Sequence, residues 1–309
     1  MKNKTNFMTK TWVIVVGAMI CCTLWGSAFP CIKIGYRMLE IAAADTASQI
    51  LYAGYRFTLA GVLTIALGSI LQRKILLPKR SAIGKIGLLS LLQTVLQYLF
   101  FYIGLAHTTG VKASIIEAVS TFVAILVAGY LFHQETVTSR KMLGCLIGFA
   151  GVVLVNVAGS GMDFHFSPAG DGCILLSTVA YAFSSVCMKR FSQKEDPVML
   201  SGYQFILGGI VMIACGAAMG GHLKAFTVSA AALLIYMAMI SAVAYSLWGM
   251  LLKYNPVSKV TVFGFMNPVI GVILSALLLD ETEALGVSSV LALGLVCVGI
   301  YIVNAKGKD

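Results

Sequence analysis

Charge is what this chain has least of. Only 11% of its 309 residues are Asp, Glu, Lys or Arg, against roughly 25% in a soluble domain, and that scarcity excludes a water-soluble globular protein. The four histidines, His107, His133, His165 and His222, fall at the ends of apolar runs or in loops. With no HExxH pattern and no clustered carboxylates, a metal site is not expected. No Walker motif is present, so a built-in ATPase is excluded and no cofactor is expected. The eight cysteines lie within or beside apolar runs and none has CxxC spacing; they read as small buried hydrophobes rather than a disulfide frame. An intramembrane enzyme would need clustered His, Asp or Ser nucleophiles at membrane depth, and the sequence shows none. A sensor would need a soluble module, and no stretch is left for one.

What the chain does have is length without polarity. Hydrophobic residues make up 59% of it and the mean hydropathy is +0.92. The apolar runs cover 11–31, 50–72, 82–106, 111–132, 142–158, 170–190, 199–219, 229–252, 257–279 and 284–304. At about 20 residues per crossing, these predict an all-α integral membrane protein of ten transmembrane helices, with lipid as its surroundings. The first run, from Thr11, is expected to be a span and not a cleaved signal. The net charge of +10 comes from short basic clusters between runs, such as Arg73-Lys74 with Lys79-Arg80, Arg140-Lys141 and Lys189-Arg190. Loops on one membrane face explain these clusters better than nucleic acid does. The other face would hold only Lys33, Arg37, Lys112 and Lys224. The bias predicts a multi-pass protein of the plasma (inner) membrane with both termini cytoplasmic.

The chain also repeats itself. Trp25-Gly26-Ser27-Ala28-Phe29-Pro30-Cys31-Ile32-Lys33 returns 156 residues later as Tyr181-Ala182-Phe183-Ser184-Ser185-Val186-Cys187-Met188-Lys189. Tyr55-Arg56-Phe57 matches Tyr203-Gln204-Phe205, Gln134-Glu135-Thr136 matches Asp280-Glu281-Thr282, and Asn156 matches Asn304. The halves, 1–160 and 161–309, therefore hold five helices each. Five is odd, so the second half must enter the membrane from the opposite face. Inverted repeats support alternating access around a central site, which points to a transporter of small molecules. Small residues followed by Pro30 are expected to break the first helix, and only that copy sharply, because Val186 replaces the proline in the second.

Charges at membrane depth are expensive and are functional candidates. Arg56 and Glu117 each lie six residues into their runs, about 9 Å along a helix, where they face a common level. Glu117 is the natural proton-binding residue if transport is proton-coupled; the plainer reading is a buried ion pair with Arg56 or exposure to a wet vestibule. Arg56 has Gln204 as its repeat partner, so the charge is not duplicated, and its guanidinium suits a carboxylate. Trp25, Tyr98, Tyr102, Tyr181, Tyr203 and Trp248, with Gln97 and Gln204, are the other substrate-binding candidates, and Tyr245 belongs with them. For Tyr102 and Trp248, near helix ends, an interfacial belt is the plainer reading. Glu135 and Glu281 are expected to cap the helices that follow them. Gly144, Gly148, Gly151, Gly294 and Gly299 are expected to serve close helix packing, within or between subunits.

The run from Trp25 to Lys33, Arg56-Phe57, the paired Glu135 and Glu281, and Asn267-Pro268 together resemble the drug/metabolite transporter superfamily, EamA type, over the whole chain as two tandem units. One departure is visible: Phe122 stands where the family's fourth helix has proline. The resemblance implies export of a small metabolite, an amino acid or a related compound, by alternating access with proton antiport. It also implies a homodimer contact through the fifth and tenth helices. An uncoupled uniporter or importer of small polar metabolites or drugs is the alternative.

Overall fold

Polar residues between the apolar runs set where the helices begin. Asp45 accepts from the Ser48 amide (3.0 Å), Thr109 from that of Lys112 (3.2 Å), Thr227 from that of Ala230 (3.2 Å), and Asp196 from those of Val198 (2.8 Å) and Met199 (3.0 Å). Such caps satisfy amides that a helix start leaves without partners. The computed structural model describes residues 7–157, 166–279 and 287–305. Among these, ten helices are long and apolar enough to cross a membrane: α1 Thr11–Met38, α2 Thr46–Gln72, α3 Arg80–Leu105, α4 Lys112–Leu131, α5 Ser139–Val157, α6 Pro168–Ser192, α7 Pro197–Ala218, α8 Val228–Tyr254, α9 Val257–Leu274 and α10 Val287–Asn304. His165 and Glu281 lie outside the described residues.

The Asp45 cap starts α2 four residues before its apolar run. Arg56 therefore sits ten residues into the helix, about 15 Å along it rather than 9 Å, close to the middle of the span.

Helix partners follow the repeat. α2 packs along α7 and α5 along α10; α1 lies against α8 and α9, and α6 against α3 and α4; α8 also meets α2 as α3 meets α7. Exchanging the halves maps this pattern onto itself, as two inverted five-helix repeats require. Each half lends its first helix to the other. The α2–α7 approach depends on glycine: a Cβ on Gly61 would stand 2.5 Å from the Gly202 carbonyl oxygen. In the α5–α10 pair, a Cβ on Gly299 would stand 2.5 Å from the Gly144 oxygen. Those glycines serve packing within the chain, and so do Gly148 and Gly151, whereas a Cβ on Gly294 meets nothing within 4 Å.

The expected break in α1 does not occur. The helix runs unbroken over 28 residues with Pro30 inside it, and Ser27 Oγ donates to the Leu24 carbonyl at 2.8 Å while pairing with the Tyr236 hydroxyl at 3.1 Å. Ser27, one turn before the proline, thus ties its own turn to α8, and the helix continues through Pro30 as transmembrane helices packed among neighbours do. The interruptions fall elsewhere. α4 is interrupted at Val119, between helical segments Gly110–Ala118 and Ser120–Leu126, with Phe122 just beyond. α9 tightens into a 3-10 turn at Val262–Phe265, at the repeat-equivalent place. Thr121 Oγ1 donates to the Thr261 carbonyl at 3.1 Å and Cys22 Sγ to that of Phe263 at 3.2 Å, supplying partners where lipid has none. A π-helical turn at Ser90–Leu96 precedes Gln97 and Tyr98 in α3.

Glu135 is a cap, but not of the helix that follows it. Its carboxylate accepts from the Ser258 amide (2.9 Å) and the Ser258 hydroxyl, and pairs with Lys141 at 2.8 Å. It therefore holds the start of α9 in the other half. α5 is capped instead by Thr138, which accepts from the Lys141 amide at 3.4 Å.

Candidate functional site

Aromatic side chains from both repeats meet at the centre of the bundle. Phe57 on α2 stacks on Phe205 of α7. Tyr98 tilts over Phe57 with centroids 4.4 Å apart, Tyr245 meets Phe205 edge-on at 4.9 Å, and the two tyrosine hydroxyls hydrogen-bond at 3.0 Å. Trp25 packs edge-on against Tyr245 at 5.1 Å. Trp25, Tyr98 and Tyr245, backed by the two phenylalanines, form one wall of a cavity of about 160 Å³, below the roughly 300–1,000 Å³ typical of drug-sized sites.

The cavity draws on seven helices. Trp25 comes from α1, Arg56 from α2, Gln97, Tyr98 and Tyr102 from α3, Glu117 from α4 and Tyr181 from α6. Tyr245 of α8 and Asn267 of α9 complete the polar wall. Three candidates stand away from it. Gln204 turns toward α3 and accepts from Thr94 Oγ1 at 2.6 Å. Trp248 is buried behind Trp25, with centroids 5.0 Å apart, so it is not an interfacial anchor either. Tyr203 packs against the hydrophobic core. For Gln204 and Trp248 the helix is the expected one, but the side chain meets a neighbouring helix. Phe29, Phe101, Thr121, Ser177 and Thr178 also line the cavity. Sequence reasoning missed them, although Thr121 and Asn267 are repeat partners 146 residues apart and that spacing was a usable signal.

Arg56 is only 3% exposed. One guanidinium nitrogen donates to Ser241 Oγ at 3.0 Å, and its carbon lies 5.0 Å from the Phe57 centroid. Among the described residues no carboxylate lies within ion-pairing distance of it, and Glu117, partly buried on the same cavity, has no ion-pair partner either. The two charges share the cavity without bridging. Four buried polar atoms on the wall have no hydrogen-bond partner: Arg56 Nε, Trp25 Nε1, Gln97 Oε1 and Asn267 Oδ1. An unsatisfied buried polar group costs about 1–3 kcal/mol. Four around one small space therefore mark a surface suited to a polar guest, with donors at Arg56 and Trp25 and acceptors at Gln97 and Asn267. Among the described residues no group of histidine, cysteine and carboxylate side chains is arranged to hold a metal ion.

The EamA-like transporter family matches residues 12–157 and 168–305, one unit in each half. An uncharacterized transporter of Archaeoglobus fulgidus is 28% identical over 96% of this chain and 99% of its own length. An uncharacterized inner membrane transporter of Escherichia coli strain K12, YedA, is 28% identical over 92% of this chain and 90% of its own. A WAT1-related chloroplastic protein of Arabidopsis thaliana is 26% identical over 96% of this chain and 70% of its own. One solved crystal structure superposes with a TM-score of 0.77 over 94% of this chain and 96% of its own, at 17% identity, a likeness of fold alone.

Proposed function

Since the chain belongs to the EamA-like transporter family, we propose that it carries a small carboxylate-bearing metabolite, an amino acid or a related compound, across the plasma (inner) membrane by alternating access. The observation that carries this reading is the Arg56 guanidinium, buried on the cavity wall with Nε unpaired and, among the described residues, no carboxylate within ion-pairing distance. A buried, uncompensated cation is costly, and a carboxylate from the cargo would compensate it through paired hydrogen bonds. Gln97 Oε1 and Asn267 Oδ1 are acceptors for an ammonium or hydroxyl group of the same molecule, and the surrounding rings would cover an apolar side chain.

Glu117 is the proton site in this reading, an acid on the cavity wall within reach of cargo and water. Neutralised by a proton, it loses the cost of a membrane-buried charge, so its protonation is coupled to what occupies the cavity. The outward direction rests on the family resemblance, and the cytoplasmic placement of both termini on the distribution of Lys and Arg. The test is a thermal-shift screen of detergent-solubilised protein against small metabolites. Stabilisation by carboxylates and not by their carboxamide analogues is expected; a carboxylate-free compound as the only ligand would overturn the role of Arg56.

A further inference from the structure

The corner between α2 and α3 carries more charge than its turn requires. Arg73 ends α2 in the left-handed region, at φ 53°. Its amide donates to the Ile70 carbonyl at 3.1 Å, and the Lys74 amide to that of Ser69 at 3.1 Å. The end of α7 is closed in the same way at the repeat-equivalent place. There the left-handed residue is Gly220, at φ 84°, with its amide on the Ala217 carbonyl (3.0 Å) and that of Gly221 on the Gly216 carbonyl (2.9 Å). Glycine is the usual residue at such a helix end because it has no Cβ to clash, and a side chain held there stores strain. One repeat makes the turn with the unstrained residue, and the other keeps an arginine.

Arg73 is not alone. Lys74, Lys79 and Arg80 follow it closely, all exposed, and no acid stands in the first turn of α3. Three other cations on this face have partners in the protein: Lys85 pairs with Glu195 at 2.5 Å, Lys141 pairs with Glu135 at 2.8 Å, and Lys189 donates to the Leu252 carbonyl at 3.1 Å. Among the described residues, the side chains of Arg73, Lys74, Lys79 and Arg80 make no hydrogen bond, ion pair or ring contact. The corresponding corner between α7 and α8 has one cation, Lys224, and it is paired with Glu40.

The corner is also fixed in place and flanked by apolar side chains. Leu76 is buried, and its amide donates to Ser69 Oγ at 3.1 Å, which pins the loop between its two basic pairs. Ile70, Leu71, Ile75, Leu77 and Ile83 are exposed around it. Uncompensated cations beside exposed apolar side chains at the end of a span match the two parts of a phospholipid, phosphate and acyl chain. A soluble anion would use only the first.

We propose that this corner binds an anionic phospholipid from the leaflet on the face carrying the N-terminus, to which α2 returns. The phosphate sits among Arg73, Lys74, Lys79 and Arg80, and the acyl chains run against Ile75, Leu77 and Ile83. Arginine suits phosphate because its planar fork takes two oxygens, which explains an arginine where glycine would fit the backbone better. Arg73 lies about 25 Å along α2 from Arg56, so the site is separate from the central cavity and independent of what is carried.

Lipid titration tests it. The full chain in detergent is titrated with phosphatidylglycerol, phosphatidylcholine or inorganic phosphate, and its melting temperature is followed. Phosphatidylglycerol should raise it at concentrations where the other two do not. Arg73→Gly restores the residue of the other repeat, so without added lipid the variant should melt no lower than the parent. Its half-saturating phosphatidylglycerol concentration should rise about fivefold, the effect of one cation beside an anionic lipid, and that of Arg73→Gly/Arg80→Gln about 25-fold. Arg140→Gln/Lys259→Gln removes the same charge elsewhere on that face and should respond as the parent does. An equal loss in that control would reduce the effect to the general attraction of a basic face and overturn the site. So would an unchanged response in Arg73→Gly/Arg80→Gln, or a parent that responds alike to both lipids. Equal stabilisation by inorganic phosphate would assign the corner to a soluble anion and overturn the lipid.

Discussion

The rings of Phe57 and Phe205 lie 5.3 Å apart and 9° from parallel, and the two residues are partners in the internal repeat. The pseudo-two-fold axis that relates the halves therefore passes between them. Immediately before each stands the residue that breaks the symmetry. Arg56 hydrogen-bonds Ser241 on α8, while Gln204 is bonded by Thr94 on α3, and Ser241 and Thr94 are themselves 147 residues apart. One frame is built twice and charged once.

Both rings are fully buried, so Phe57→Ala and Phe205→Ala should each destabilise the protein by about 3–5 kcal/mol. The double variant should lose about 0.5–1.5 kcal/mol less than the sum, the coupling of an aromatic pair. Denaturant unfolding in detergent, run as a double-mutant cycle, measures both.

Arg56→Gln makes the site symmetric with Gln204 and removes the cation. Counterflow of a carboxylate substrate in proteoliposomes should fall by about 10- to 150-fold, corresponding to the roughly 1.5–3 kcal/mol of a hydrogen bond to a charged group. Arg56→Lys keeps the charge without the planar fork and should fall between the two.

Glu117→Gln fixes the side chain in its neutral form. Substrate counterflow, which needs no net proton movement, should continue, while uptake driven by an imposed pH gradient should stop. Gradient-driven uptake at the parent rate would remove Glu117 from the coupling step.

Two glycines on α10 should behave oppositely. Gly299→Ala places a methyl 2.5 Å from the Gly144 oxygen and should lower the melting temperature and the yield of monodisperse protein. Gly294→Ala meets nothing within 4 Å and should leave both unchanged.

Asp45 lies outside the spans. Hydrogen bonds from Ser48, side chain first and then amide, hold its carboxyl below the usual carboxylate range. Its ionised form is favoured in the folded state, so its contribution is present above the unfolded pKa and is lost as pH falls through the folded one. Asp45→Ala should cost about 1 kcal/mol near neutral pH, as for other N-caps. The gap between variant and parent should close in acid, below the ordinary carboxylate range, as followed by melting temperature against pH.

The sequence by itself determined the ten spans, the two-fold repeat and the family, because a bilayer imposes run length and apolarity on every crossing and a duplication leaves its spacing in the chain. It also placed Trp25, Arg56, Tyr98, Glu117 and Tyr181 at the level of a shared cavity. Only the tertiary structure decided which side chains face that cavity. Gln204 and Trp248 sit on the expected helices yet turn to neighbours, and the direction of a side chain depends on how helices rotate about their axes, which the mean hydropathy of a span does not encode. The unbroken α1 was not legible either: Pro30 marks a break in the sequence, yet the helix runs through it packed against α8 and α9, with Ser27 bonded to Tyr236, which lies 209 residues away along the chain. Glu135 likewise reads as the cap of its own next helix until folding brings Ser258 of the other half beside it.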